Sequence, residues 1–155
     1  MRMKVLGLRE ALEHSIIVHI SSLDVAFASP AGMAILKLIA WGERRHEVKE
    51  KADFAFILTH YERAGNEERL YEEGQYLLQA TGFNADLAAA RLLGRGMARI
   101  MQPDTKAEIV SLLERHADPE KNDELIIGLR NQLPGKNYEA AAALIESLRK
   151  GIQEI

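Results

Sequence analysis

The sequence contains no cysteine among its 155 residues. This absence excludes disulfide bonds, thiolate-bound zinc and a cysteine nucleophile, and it is typical of a protein in a reducing compartment. Long apolar runs are also missing, because the longest, residues 31–41, is interrupted by Lys37 and a membrane span needs about 20 residues. The charged first ten residues lack the apolar stretch of a signal peptide. We therefore expect a soluble, cytoplasmic protein with no membrane partner.

A strong excess of positive charge is absent too. Twenty Lys and Arg stand against 23 Asp and Glu, which gives a formal net charge of -3. This balance argues against a surface that is basic throughout and binds nucleic acid everywhere, although a local basic patch stays open. With 47% apolar and 28% charged residues, the composition is that of an ordinary globular domain, and the length suffices for a core of its own.

The first thirty residues have a mixed pattern. Residues 8–13 predict a short helix, and two runs rich in β-branched residues, 15–20 and 23–28, are separated by Ser21-Ser22. This arrangement predicts a β-hairpin. Alternation in the second run places Leu23, Val25 and Phe27 on one face, which predicts a half-buried strand.

From Pro30 onward the pattern is helical to the end. Proline suits a first helical turn, and Asn66 and Asn84 are suited to cap later helices. We predict an α+β fold that is predominantly α, with residues 1–29 as a sheet segment and residues 30–155 as a helical domain. About seven helices are expected after the hairpin: 30–44, 47–63, one from Asn66 to about residue 82, 85–101, two bounded by Pro103, Asp118-Pro119 and Pro134, and 138–155.

One lysine, Lys37, lies within an apolar helical segment. Helical spacing places Trp41, Arg44 and Arg45 on its side of the helix. Such a surface could bind phosphate, because lysine supplies a compact charge and arginine a two-pronged donor. The alternative is a lysine that simply extends its ammonium group to solvent.

Two acids on the next predicted helix, Glu50 and Asp53, are three residues apart and therefore share a face. They could reach a metal ion, a lysine or a substrate hydroxyl. The alternative is a solvated charged face that Lys49 and Lys51 compensate. The five histidines have no spacing typical of a zinc site, so no metal site is predicted.

Three arginines, Arg91, Arg95 and Arg99, recur at every fourth residue and should form a stripe along one helix. The stripe could bind RNA or phosphate, or it could pair with Glu67, Glu68 or Glu72 of the preceding helix. Gly94 and Gly96 in the same helix predict a closely packed neighbour.

A family resemblance extends over about residues 3–100. The matching segments are residues 3–7 with the hairpin, 28–32, the block 36–41 around Lys37, 49–54, 60–61, 66–71 and 89–95. In these segments the chain resembles the C-terminal part of AbiEii toxin-like predicted nucleotidyltransferases. The resemblance implies that residues 1–29 are the remnant of a nucleotidyltransferase sheet and that the helical domain belongs to a toxin–antitoxin protein.

The resemblance also implies roles for the charged residues. Lys37 would contact nucleotide phosphates, Asp53 matches the second acid of the family pattern Lys-Asp-x-x-Asp-Leu, and Glu50 replaces the first. In an enzymatic function we expect Arg44 or Arg45 to assist Lys37, and Asp53 to orient Lys37 or the acceptor. A complete enzyme of this family uses Mg²⁺ and a nucleoside triphosphate, held near a Gly-Ser turn and an Asp-x-Asp pair. Neither motif occurs in this sequence. We therefore expect the chain alone to bind no cofactor, and we assign no catalytic residue.

Two functions therefore stay open. The chain could be the helical portion of a nucleotidyltransferase that needs a separate catalytic polypeptide and acts on RNA or a small acceptor. Alternatively, it could be a non-catalytic interaction module that associates with itself or binds an antitoxin-like partner. Uncovered strands would have to be covered by a homodimer or by another polypeptide.

Overall fold

The computed structural model describes residues 5–45 and 47–155. Predictions that involve residues 1–4 and His46 lie outside this part, including the first residues of the resembling segment 3–7. The predicted α+β, predominantly α fold is confirmed. The described residues form these elements: α1 (Leu8–Glu13), β1 (Ile16–Ile20), β2 (Leu23–Phe27), α2 (Pro30–Glu43), α3 (Val48–His60), α4 (Glu67–Glu72), α5 (Gln75–Ala80), α6 (Ala85–Ile100), α7 (Pro103–His116), α8 (Glu124–Arg130) and α9 (Tyr138–Gln153). Among these helices, none has both the length and the apolar character needed to cross a bilayer.

Three helices begin where the sequence predicted, because a local side chain caps each of them. Ser29 Oγ accepts a backbone N–H at 3.1 Å at the start of α2, Asn84 Oδ1 does so at 3.1 Å for α6, and Asn137 Oδ1 at 2.9 Å for α9. Each oxygen satisfies an N–H that the first helical turn would otherwise leave unpaired. Pro30 occupies the first position of α2, where its missing N–H costs nothing.

The predicted helix from Asn66 to residue 82 is instead two helices, so eight helices of the described chain follow the hairpin rather than about seven. Gly74 separates α4 from α5, and a side chain there would come within 2.9 Å of the Leu70 carbonyl. Asn66 does not cap α4. Its amide donates to the Tyr61 carbonyl at 2.8 Å and its Oδ1 accepts from Arg69, which stabilises the wide turn after α3.

The centre of the helical body is a close crossing of α6 and α9. A Cβ atom on Gly94 would lie 2.1 Å from the Leu148 carbonyl oxygen, and one on Gly151 would lie 2.1 Å from the Arg91 carbonyl oxygen. The two backbones are therefore in direct contact, which confirms the predicted close neighbour of α6 at Gly94. Gly96 does not contribute, because its nearest neighbours would be at ordinary contact distance, 3.6 Å or more.

The buried carboxylate of Glu10 joins α1 to the start of α7. Its Oε1 accepts the Gln102 N–H at 3.1 Å, and α7 has no side-chain cap of its own. Burial raises the pKa of Glu10, but hydrogen bonds from Thr105 and from the backbone of Gln102 outweigh it, so the net pKa is below its ordinary value. The positive end of the α7 dipole favours the same charged form.

We expect Glu10→Gln to lower the free energy of unfolding by about 1–3 kcal/mol near neutral pH, since a buried charged hydrogen bond is lost. A depressed pKa means that the ionised carboxylate contributes stability above its ordinary pKa of 4.5 and that this contribution disappears as the pH falls through the folded-state pKa. In urea unfolding at successively lower pH, the free energies of unfolding of the wild type and of Glu10→Gln should therefore converge. Glu13→Gln, at an exposed position, is the control, and a difference that does not change with pH would contradict this account.

The hairpin has the predicted strands, but it is not half-buried. Its antiparallel register pairs Ile16 with Phe27, Val18 with Val25 and Ile20 with Leu23. Leu23 is 67% exposed and Phe27 48%, and β1 and β2 contact chiefly each other. The alternation correctly predicted which side chains share a face, but within the described chain the helical body does not cover that face.

Candidate functional site

Four of the charged residues that the sequence singled out lie together, one in α2, one directly after its end and two in α3. Lys37 Nζ lies 2.8 Å from Asp53 Oδ2 and 3.1 Å from Glu50 Oε2, and Arg44 contacts Glu50 Oε1 at 3.3 Å. We call Lys37, Arg44, Glu50 and Asp53 the α2–α3 cluster. It contains two positive and two negative charges, and Arg44 also approaches Glu47 at 3.6 Å.

The apolar residues of the two helices bring the cluster together. Ile35 and Leu38 of α2 and Phe54 and Leu58 of α3 are buried against the core, which fixes both helices side by side. Residues between these apolar positions point away from the core because of the helical period. Lys37 therefore meets the acids of α3 at the border of the helix pair.

Ion pairing satisfies the charge of Lys37. A hydrogen bond with Asp53 is the main cause of its raised pKa, burial opposes it, and Glu50 adds to it. The Glu50 side chain is only 10% exposed, so it depends on Lys37 and Arg44 for compensation. A phosphate group would have to compete with two carboxylates for the ammonium group, and removing Lys37 from them would leave a poorly solvated anion.

The predicted face of Lys37, Trp41, Arg44 and Arg45 does not form as a unit. Trp41 is completely buried, because it lies on the core side of α2. Arg45 follows the end of α2 at Glu43 and turns to another region, where its guanidinium lies 3.3 Å from Nε2 of His116. Only Lys37 and Arg44 of the predicted phosphate-contacting set lie together.

A groove of about 310 Å³ lies beside the cluster. Its walls are mainly aliphatic, and the described residues that line it carry no hydroxyl, imidazole or thiol group that could act as a nucleophile. The charged groups in the lining can orient a polar ligand, and the aliphatic ones can bind an apolar one. The lining residues are Val5, Leu6, Leu8, Met33, Leu36, Lys37, Ile39, Ala40, Glu43, Arg44 and Glu50.

The acids of the cluster do not form a metal site. In the part of the chain covered by the structure, no group of three or more His, Asp or Glu residues is placed to hold a metal ion. Glu50 and Asp53 direct their oxygens at Lys37 instead. The cluster can therefore hold α2 and α3 together through charge.

A second polar cluster, which the sequence did not predict, surrounds His116 at the end of α7. The His116 side chain is only 4% exposed, and donor groups lie against both ring nitrogens: Asn122 Nδ2 is 3.1 Å from Nδ1 and the Arg45 guanidinium faces Nε2. Because a neutral imidazole has a single acceptor nitrogen, it accepts a hydrogen bond from one of these two donors. The edge-on Trp41 indole completes the environment, with ring centroids 5.2 Å apart. No local pattern could reveal this site, because Arg45 is 71 residues away along the chain.

This environment makes stability depend on pH. Burial lowers the pKa of His116, and the charges of Arg45 and Arg115 lower it further, against the opposing charge of Glu124. Above the ordinary pKa of 6.5 both folded and unfolded states are neutral. As the pH falls below that value the unfolded state binds the proton first, so the free energy of unfolding decreases until the folded-state pKa is reached.

We expect thermal unfolding between about pH 7.5 and pH 5 to show this loss in the wild type. His116→Gln should be less stable at neutral pH because it removes the buried ring that packs against Trp41 and accepts a hydrogen bond from Arg45 or Asn122, but its stability should vary less over this range. His14→Gln, an exposed histidine of the N-terminal region, should retain the wild-type slope. An unchanged slope in His116→Gln would show that another group is responsible.

Arg91 and Arg95 of the arginine stripe of α6 are paired, but not with the residues predicted. Arg91 Nε donates to Glu154 at 2.7 Å, and Arg95 lies 3.5 Å from the same carboxylate. Arg95 also stacks over Tyr76, with 5.1 Å between guanidinium carbon and ring centroid. The end of α9 therefore takes the place predicted for the glutamates of α4, since the α6–α9 crossing brings it alongside α6.

Compared with models of known protein families, with curated proteins and with solved structures, the chain matches none. The resemblance over residues 3–100 therefore stays a prediction that rests on its motifs.

Proposed function

We propose that the chain is a non-catalytic protein-interaction module whose contact surface is one face of the hairpin. We call this surface the hairpin face, and it consists of Ile16, Val18, Ile20, Leu23, Val25 and Phe27. The strand register supports the proposal, because it places all six apolar side chains on the same side of the two strands. Apart from Val25, each of them is between 39% and 67% exposed.

Such a face needs a covering layer. An isolated two-stranded hairpin is only marginally stable in water, and stable sheets pack one face against another element. Contiguous exposed apolar surface of several hundred Å² marks a contact site in folded proteins. A partner that buries the hairpin face would stabilise the strands and the complex together.

The α2–α3 cluster fits the same proposal as a structural contact. Each of its positive charges has a carboxylate within 3.3 Å, and Glu50 is almost completely removed from solvent. A cluster of this kind specifies how two helices pack, because any other arrangement leaves a buried charge without compensation. In this role it requires no ligand.

A specific observation keeps the nucleotidyltransferase-like function as the second candidate. Lys37 and Arg44 both line the groove beside α2, and Asp53 fixes the position of the Lys37 ammonium group. In that function a separate polypeptide would supply the Mg²⁺-binding carboxylates, and the groove would contribute phosphate contacts during transfer to RNA or a small acceptor.

Site-specific photo-crosslinking inside cells tests the interaction module. A benzophenone amino acid replaces Leu23 on the hairpin face or, as the control, Ile17 on the opposite face of the same hairpin. The chain labelled at position 23 should form one crosslinked product of discrete mass. The chain labelled at position 17 should form little of this product. Failure of position 23 to give any discrete product would contradict the proposal.

Calorimetric titration of the purified chain with Mg²⁺ and each nucleoside triphosphate separates the two candidates. The interaction module predicts no binding that depends on Lys37. The nucleotidyltransferase-like function predicts binding that Lys37→Ala abolishes and that Lys49→Ala, at an exposed lysine of α3, leaves intact. Binding of the second kind would replace the proposal.

A further inference from the structure

We infer that the hairpin face binds a second copy of this chain. The two faces would pack against each other about a two-fold axis, so that two hairpins form a two-layer, four-stranded sandwich. This inference rests on the proposed function and names its partner. A symmetric contact of this type uses the same surface patch on both copies, and sheet layers of this kind pack about 10 Å apart with interdigitating side chains.

The exposed area is close to what a specific dimer requires. Five side chains of the hairpin face retain between 39% and 67% of their accessible surface. At roughly 200 Å² for a fully exposed side chain of this size, they offer about 500 Å² per copy. Two copies would bury about 1,000 Å², which is the lower limit for a specific interface. The dimer should therefore be a reversible one rather than an obligate one.

The distribution of charge on the hairpin permits an identical partner. Each copy carries a formal charge of -3, so most contacts between copies would bring like charges together. The hairpin face has no charged residue. The ionisable residues of the strands, His19 and Asp24, are opposite each other on the other face, where their side chains are in contact. Two identical hairpin faces can therefore meet without removing any charge from water, whereas a strongly charged partner would find no complementary group.

Neighbouring surface of α1 adds to the apolar character of the N-terminal region. Leu8 and Leu12 are one helical turn apart, and they are 43% and 66% exposed. The chain passes directly from α1 into β1, so the apolar side chains of both elements belong to one continuous segment.

Sedimentation equilibrium over about 1–500 μM protein tests this inference. The apparent mass of the wild type should rise with concentration from 17.3 kDa towards twice that value. Ile20→Glu places a charge on the hairpin face and should weaken the dimer at least about tenfold. The matched control is Ile17→Glu, because Ile17 lies in the same strand, is 52% exposed against 51% for Ile20, and points to the opposite face. It should dimerise like the wild type.

Leu23→Gln serves as a second variant on the hairpin face, and circular dichroism verifies that each variant retains the helical fold. A wild type that stays monomeric over the whole range would overturn the inference, as would equal weakening by Ile20→Glu and Ile17→Glu. The crosslinking experiment then separates the two failures. If position 23 crosslinks to a different protein, the chain is an interaction module but the hairpin face does not form a dimer. If position 23 gives no product, both the interaction module and the dimer are contradicted.

Discussion

Replacing Gly94 by alanine should lower the free energy of unfolding by about 2–4 kcal/mol, because the crossing of α6 and α9 has no room for a methyl group. The added Cβ would lie 2.1 Å from the Leu148 carbonyl oxygen and 3.0 Å from the Ile152 nitrogen. Both are backbone atoms, so no side-chain rotation can relieve the contact. The helices would have to separate and lose contacts along their whole interface. Gly151→Ala should act similarly, since its Cβ would meet the Arg91 carbonyl.

Gly96→Ala is the matched control for this prediction. Gly96 lies in the same helix two residues further on, and its Cβ would meet only the Tyr61 hydroxyl at 3.6 Å and the Ala31 methyl at 3.7 Å. Alanine is favoured over glycine inside a helix, so this variant should be neutral or more stable by up to about 1 kcal/mol. Urea unfolding of the three proteins measures the difference. Equal effects of Gly94→Ala and Gly96→Ala would show that helix propensity, not the crossing, governs both.

The elements that could be predicted from the sequence are those with local causes. The caps at Ser29, Asn84 and Asn137 act within three residues, so the starts of α2, α6 and α9 are readable without any tertiary information. The hairpin is predictable for the same reason, since its strands and turn are contiguous. Its burial is not, because alternation defines a face but does not specify what lies against it.

The candidate site was predictable to the same limited extent. Helical spacing placed Glu50 and Asp53 on a common face, and their carboxylates do share one partner, Lys37. Spacing within α2 could not show that Trp41 faces the core, and the partner of Arg45 comes from a distant part of the chain. Likewise, the carboxylate that pairs with Arg91 belongs to the last residues of the sequence. Contacts between elements distant in sequence depend on the packing of the whole body, which a local pattern does not contain.

The α2–α3 cluster gives the second large expected effect. Lys37→Met preserves most of the side-chain volume but removes the charge between Glu50 and Asp53. Glu50 is nearly buried and, among the described residues, would keep Arg44 at 3.3 Å as its one ion-pair partner, so we expect a loss of about 2–4 kcal/mol in the free energy of unfolding. Lys49→Met, at an exposed position of α3, should change stability by less than about 0.5 kcal/mol. Chemical unfolding at neutral pH measures both.

A double-mutant cycle decides whether the cluster is a structural contact or a lysine kept for a ligand. If Lys37 compensates the buried charge of Glu50, removing both charges in Lys37→Met/Glu50→Met should recover at least about 1 kcal/mol relative to the sum of the single variants. Additive losses would mean that the two residues act independently and that their 3.1 Å contact contributes little. Recovery of stability in the double variant would instead mean that Lys37 serves the packing of α2 on α3. A lysine that a buried carboxylate already requires is poorly placed to bind phosphate in its stead.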